Sequence, residues 1–128
     1  MDAVDWLNIA PQALGNSIAF FMGFVSVVSA YLVVAYVVGR ELLRSQVIVI
    51  NLLFVATTLL TVFGNAITAR NAIQAHYLGS LQVEEMTHLP EYLIYLVPVS
   101  LVLIDLCLVL ASLKFMWDIR NPKARGSL

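Results

Sequence analysis

Within residues 101–110, LVLIDLCLVL, the carboxyl of Asp105 stands among apolar side chains. A carboxyl in such a run does one of two jobs: it takes up and releases a proton or a cation, or it stays protonated and donates a hydrogen bond to a neighbouring helix. An Asp at the centre of a membrane helix costs about 2.5–3.5 kcal/mol, so it must be neutral, paired, or beside a wet cavity. Pro98 and Ser112 lie seven residues to either side of it, close to the same helical face. Pro98 removes a backbone donor and crowds the carbonyl of Ile94, which predicts a kink about a turn or so before the acid.

Partners for that carboxyl are sought in a second apolar stretch, where Asn51, Thr58 and Asn65 recur every seven residues with Thr61 and Thr68 close to the same face. A polar stripe of this kind should not face lipid. By counting from the ends of the stretches, Thr57, Thr58 and Thr61 fall at about the depth of Asp105, as do Ser26 and Ser29 of the first stretch. None of these groups is cationic, so Asp105 is expected to be uncharged at rest. The residues expected to form an ion or proton site are therefore Asp105, Thr58, Thr61, Asn51, Asn65 and Ser112. In the first stretch Gly15, Ala19 and Gly23, continued by Ser26 and Ala30, form a small-residue series, which predicts close helix packing inside the chain or between subunits.

Other chemistry finds little support. His76, Glu84, Glu85 and His88 match no metal-ligand spacing and are expected to be solvated loop residues. Both histidines fall outside the apolar stretches, which argues against a bis-His haem. The single cysteine, Cys107, is expected to be an inert packing residue. There is no phosphate-binding glycine loop and no nucleophile elbow, so no enzyme activity, metal or cofactor is expected. A net charge of −1 leaves no basic field for nucleic acid.

The elements that must position these residues follow from composition. Of 128 residues 61% are hydrophobic and 12% charged, with a mean hydropathy of +0.90, against about 25% charged in soluble domains. Spans are expected over roughly 15–39, 45–69 and 92–117, each long enough for a hydrocarbon core about 30 Å thick. The link RELLR predicts a tight hairpin, with Gly39 stopping the first helix. The connection from Arg70 to Glu91 is longer. It begins with good helix formers and no breaker before Gly79, so the second helix should project past the membrane; Thr87 as N-cap and Pro90 with Glu91 in the first turn would restart the third. Trp6, Leu7 and Ile9, ahead of Pro11, suggest either a short interfacial segment or a frayed terminus. Tyr92, Tyr95 and Trp117 bracket the third span as interfacial anchors would, and Lys114 can snorkel.

Arg40, Arg44, Lys114, Arg120, Lys123 and Arg125 collect on one side, and Asp2, Asp5, Glu84, Glu85 and Glu91 on the other. The positive-inside rule then makes the hairpin and the carboxyl terminus cytoplasmic, the long connection extracytoplasmic and the amino terminus external, in a plasma or inner membrane. The acidic start MDAVDWLNIAPQ lacks the basic region of a cleaved signal peptide. The sequence thus predicts a single all-α integral membrane domain over 1–128, with three transmembrane helices in contact with lipid. Three helices enclose too little space for a private route, so the leading expectation is a homo-oligomer carrying an ion or proton pathway, as a channel or transporter subunit, at Asp105. The alternative is a non-catalytic accessory subunit packed against another membrane protein.

Overall fold

The computed structural model describes residues 2–83 and 88–122. It contains three helices, α1 (Ala3–Val38), α2 (Arg44–Ser80) and α3 (Leu93–Arg120). All three are long and apolar enough to cross a membrane, so the chain is all-helical among the described residues. At 1.5 Å per residue α1 and α2 each extend about 55 Å, nearly twice a hydrocarbon core about 30 Å thick.

Helix α1 begins earlier than composition suggests. Asp2 and Asp5 form a capping box, the Asp5 amide donating to Asp2 Oδ1 at 2.9 Å and the Asp2 amide to Asp5 Oδ2 at 3.0 Å. From there the helix runs through Pro11 without a break, so Trp6, Leu7 and Ile9 belong to α1 and form neither a separate interfacial segment nor a frayed end. Helix α2 opens with Gln46 Oε1 accepting from the Leu43 amide at 2.9 Å. It continues past residue 69, through Gly79, to Ser80, because nothing between Arg70 and Gly79 breaks it. The extensions of α1 and α2 pack on each other: a Cβ added at Gly79 would lie 3.0 Å from Leu7 and 3.3 Å from Trp6.

Residues 39–43 turn α1 into α2, with the Glu41 and Leu42 amides donating to the Val38 carbonyl at 2.9 and 3.2 Å. Gly39 does end α1, but in a right-handed conformation with φ −55° and ψ −32°. Its missing side chain matters for space, since a Cβ there would run into the Ala35 carbonyl. Helix α3 starts at Leu93, after a turn at Glu91 and Tyr92 whose carbonyls accept from Ile94 and Tyr95. Thr87 lies outside the described residues. The helix passes through Pro98 and ends at Arg120.

Seven- and four-residue spacings define the buried faces: Ser17, Phe24, Tyr31 and Ala35 on α1; Phe54, Thr58, Val62, Asn65 and Ala69 on α2; Pro98, Asp105, Val109, Ser112 and Met116 on α3. This is the seam of an antiparallel bundle. Phe24, Tyr31, Phe54, Val62, Val109 and Met116 fill the core. Tyr31 stacks on Phe54 with ring centroids 3.9 Å apart. At the hairpin end Arg120 Nη1 donates to the Leu42 carbonyl at 3.1 Å and Arg40 Nε to Ile119 at 3.3 Å, tying α3 to the turn. At the far end the Arg70 guanidinium sits 5.9 Å from the centre of the Tyr95 ring.

Candidate functional site

Three polar side chains, one from each helix, meet in the core. Ser17 on α1 is 7% exposed, Asn65 on α2 2% and Asp105 on α3 1%. Ser17 Oγ donates to Asn65 Oδ1 at 2.6 Å. The other half of the Asn65 amide, Nδ2, has no hydrogen-bond partner among the described residues, nor has either oxygen of Asp105. The two groups are neighbours, but the geometry is not that of a completed hydrogen bond.

Chain direction explains how they come together. Side chains lean toward the amino terminus of their own helix. In the antiparallel pair α2 and α3, Asn65 therefore leans toward the hairpin end and Asp105 toward the far end. Asp105 also lies near the midpoint of α3 between Tyr95 and Trp117, both well exposed and separated by about 33 Å of helix. That distance is close to the hydrocarbon thickness of about 30 Å, so a bilayer held at these two rings would place the carboxyl near its centre. Lys114, beyond Asp105 on α3, pairs with Asp118 at 2.8 Å and remains at the surface. No salt bridge reaches Asp105 among the described residues.

Of the residues singled out in the sequence, Asn65 has its side chain beside Asp105. Thr58 is fully buried, yet its hydroxyl donates to its own helix, at Phe54 and Val55 (2.7 and 3.1 Å). Thr61 does the same toward Thr57 and Thr58 (3.2 and 2.9 Å), and Ser112 toward Leu108 at 2.8 Å. These hydroxyl protons are committed, leaving lone pairs alone for any further bond. Asn51 lies two heptads from Asn65, where its Oδ1 accepts from Tyr31 Oη at 2.7 Å. Ser26 is exposed and bonds back to Met22 at 2.8 Å, and Ser29 is exposed. Their expected place near the acid is taken by Ser17. The missed signal is a simple count. Residues 17 and 65 are equidistant from Glu41 at the hairpin tip, as are 31 and 51, so an antiparallel hairpin sets each pair side by side.

The small-residue series lies off the internal seam. Gly15, Ala19, Ser26 and Ala30 are exposed and Gly23 half-buried; a Cβ at Gly15 would meet nothing within 4 Å, and one at Gly23 only Thr61 at 3.9 Å. Close approach within the chain falls instead at Gly64, where a Cβ would come within 2.7 Å of the Phe20 ring, and at Gly79. His76 is not a loop residue: it sits half-buried on the extended α2 beside Leu7 and Pro11, with Nδ1 unpartnered. His88 Nδ1 lies 3.4 Å from Ser80 Oγ, while Glu84 and Glu85 fall outside the described residues. Among the described residues no three metal-ligating side chains converge. Cys107 is exposed on α3.

A groove of about 210 Å³, lined by Ser17, Ile18, Phe21, Asn65 and Leu101, opens the Ser17–Asn65 pair to the outer surface of the bundle. Chemically, the cluster offers a carboxyl, an amide with an uncommitted N–H edge and a hydroxyl, with no cation among the described residues to satisfy the acid. Compared with known protein families, curated proteins and solved structures, the chain has no significant match.

Proposed function

We propose that this small membrane protein carries a proton or cation through the Ser17–Asn65–Asp105 cluster, acting as a homo-oligomeric channel or transporter subunit. The supporting observation is the convergence of three unpartnered buried polar atoms, Asn65 Nδ2 and both Asp105 oxygens, at one point of a three-helix core. A purely structural acid gains most when its oxygens are bonded, because an unsatisfied buried polar group costs about 1–3 kcal/mol. A site that exchanges its occupant needs free lone pairs in one of its states.

The Asn65 amide suits two states. With Asp105 ionised or holding a cation, Nδ2 donates toward the carboxylate while Oδ1 keeps the proton of Ser17. When a proton arrives on Asp105, the new O–H needs an acceptor; rotation of the amide turns Oδ1 to it, and Nδ2 then donates to Ser17 Oγ. Loss of that proton reverses the exchange. The groove over Ser17 and Asn65 is the entry, and a second copy laid over it would seal the path from lipid. Orientation follows the cationic residues, with the hairpin cytoplasmic and the amino terminus outside.

The test is flux in liposomes containing the purified protein, read with a pH-sensitive dye and with cation gradients. Asp105→Asn should abolish flux while expression and particle mass stay unchanged. Undiminished flux in that variant would remove Asp105 from the path. The accessory-subunit reading draws on the unfilled space at Gly15 and the exposed Ala19, which leave the small-residue face of α1 for another protein. A different polypeptide co-purifying in fixed ratio would favour it, and a stable particle of this chain alone would count against it.

A further inference from the structure

At the hairpin end, where α2 starts and α3 stops, a cleft of about 390 Å³ opens between the two helices. Arg44, Arg120 and Asn121 stand around its mouth, Asn51 lies deeper, and Ile48 and Leu113 contribute to its apolar walls. Arg44 has no hydrogen bond or ion pair among the described residues and sits in the first turn of α2, where the helix dipole is already positive. Arg120 uses Nη1 on the Leu42 carbonyl, which leaves its remaining guanidinium N–H groups available. Asp118, on the last turns of α3, is engaged by Lys114 at 2.8 Å. The mouth therefore concentrates positive charge, since Asp118 is held by Lys114 and the other acid of this end, Glu41 in the hairpin, does not line the cleft.

Asn51 adds a donor at a second level. Its Oδ1 is fixed by the Tyr31 hydroxyl at 2.7 Å, so its Nδ2 protons are left for the cleft it lines. Along α2 this residue is about 10 Å further into the bundle than Arg44. Cationic mouth, amide donor and apolar wall follow in the order of phosphate, ester carbonyl and acyl chain in a glycerophospholipid. We infer that the cleft binds an anionic glycerophospholipid, its phosphate diester between Arg44 and Arg120, an ester carbonyl at Asn51 Nδ2 and the first methylenes of a chain over Ile48 and Leu113. This site is separate from the Asp105 cluster and does not rest on the transport reading.

Native mass spectrometry of the full chain from a neutral detergent, with phosphatidylglycerol or phosphatidylcholine added, tests the assignment. Phosphatidylglycerol should be retained in preference, and Arg44→Gln and Arg120→Gln should each lower its retention about fivefold. Arg40→Gln removes the same charge at the same end but outside the cleft, and should leave retention unchanged. Arg120→Gln also loses a bond to the hairpin, so Arg44→Gln, with an unchanged thermal melt, is the deciding variant. Equal retention of the two lipids, an equal loss in Arg40→Gln, or full displacement of the lipid by inorganic phosphate would overturn the proposal.

Discussion

Helices α1 and α2 are joined by two polar rungs of the same design, and the third helix treats them differently. At one rung Ser17 donates to Asn65 at 2.6 Å; at the other, two heptads nearer the hairpin, Tyr31 donates to Asn51 at 2.7 Å. In both, an asparagine on α2 accepts a hydroxyl proton from α1 through Oδ1 and has Nδ2 to spare. Beside Asn51, α3 leaves an open cleft edged by arginine, so the spare donor stays accessible. Beside Asn65, α3 supplies Asp105, and donor and carboxyl are shut in together without a completed bond. One hydrogen-bonding unit thus ties α1 to α2 at both levels, and in the core it lies beside a buried carboxyl.

Asn65→Leu and Asn51→Leu separate the two rungs most sharply. Removing Asn65 takes away the donor to a carboxylate, an interaction worth about 1.5–3 kcal/mol, so flux in liposomes should fall about 10- to 100-fold. Asn51→Leu should keep flux near that of the unaltered protein. Equal losses in both variants would mean that the rungs are interchangeable.

Gly64→Val tests whether close approach of the helices supports the Asn65 rung. The added side chain meets Phe20, and overpacking of this kind costs about 1–3 kcal/mol, which a thermal or denaturant melt in detergent would read. An unperturbed melt would show that the exposed Phe20 ring swings aside and that Gly64 does not limit the approach of the helices. A smaller effect belongs to Tyr31→Phe, which should destabilise by about 1 kcal/mol, whereas in an Asn51→Leu background it should cost almost nothing more. Additive losses would deny the Tyr31–Asn51 bond. Smallest of all is Ser17→Ala, expected at about 0.6 kcal/mol by analogy with hydrogen bonds between membrane helices. A much larger destabilisation would give Ser17 a structural weight that the transport reading does not need.

Three apolar helices and a tight first hairpin were legible from continuous hydrophobic runs and from the brevity of RELLR. The extension of α2 was legible too, from good helix formers and no breaker between Arg70 and Gly79. The early start of α1 was not, because hydropathy marks where lipid would be and does not register the capping box at Asp2 and Asp5. Burial of Thr58, Asn65 and Asp105 could be read from heptad spacing. Which of them touch could not, because the threonine and serine hydroxyls turned to their own carbonyls, an option open to every such residue in a helix. Ser17 escaped notice because a lone serine in an apolar run carries no signal until the hairpin register pairs it with Asn65. The small-residue series left open a contact inside the chain or between subunits, and the structure places it off the internal seam. Spacing shows that a face is smooth, while the hairpin register decides which face turns inward.

The central claim is that Asp105 changes its proton or ion occupancy rather than holding one proton permanently. Infrared difference spectroscopy of the reconstituted protein, titrated in pH and with cations and compared with Asp105→Asn, reads this directly. A protonated-carboxyl band should disappear as the site is emptied or takes up a cation, and should be missing from Asp105→Asn. A band assigned to Asp105 that stays constant under every condition supporting flux would contradict it and leave the carboxyl as a fixed hydrogen-bond donor.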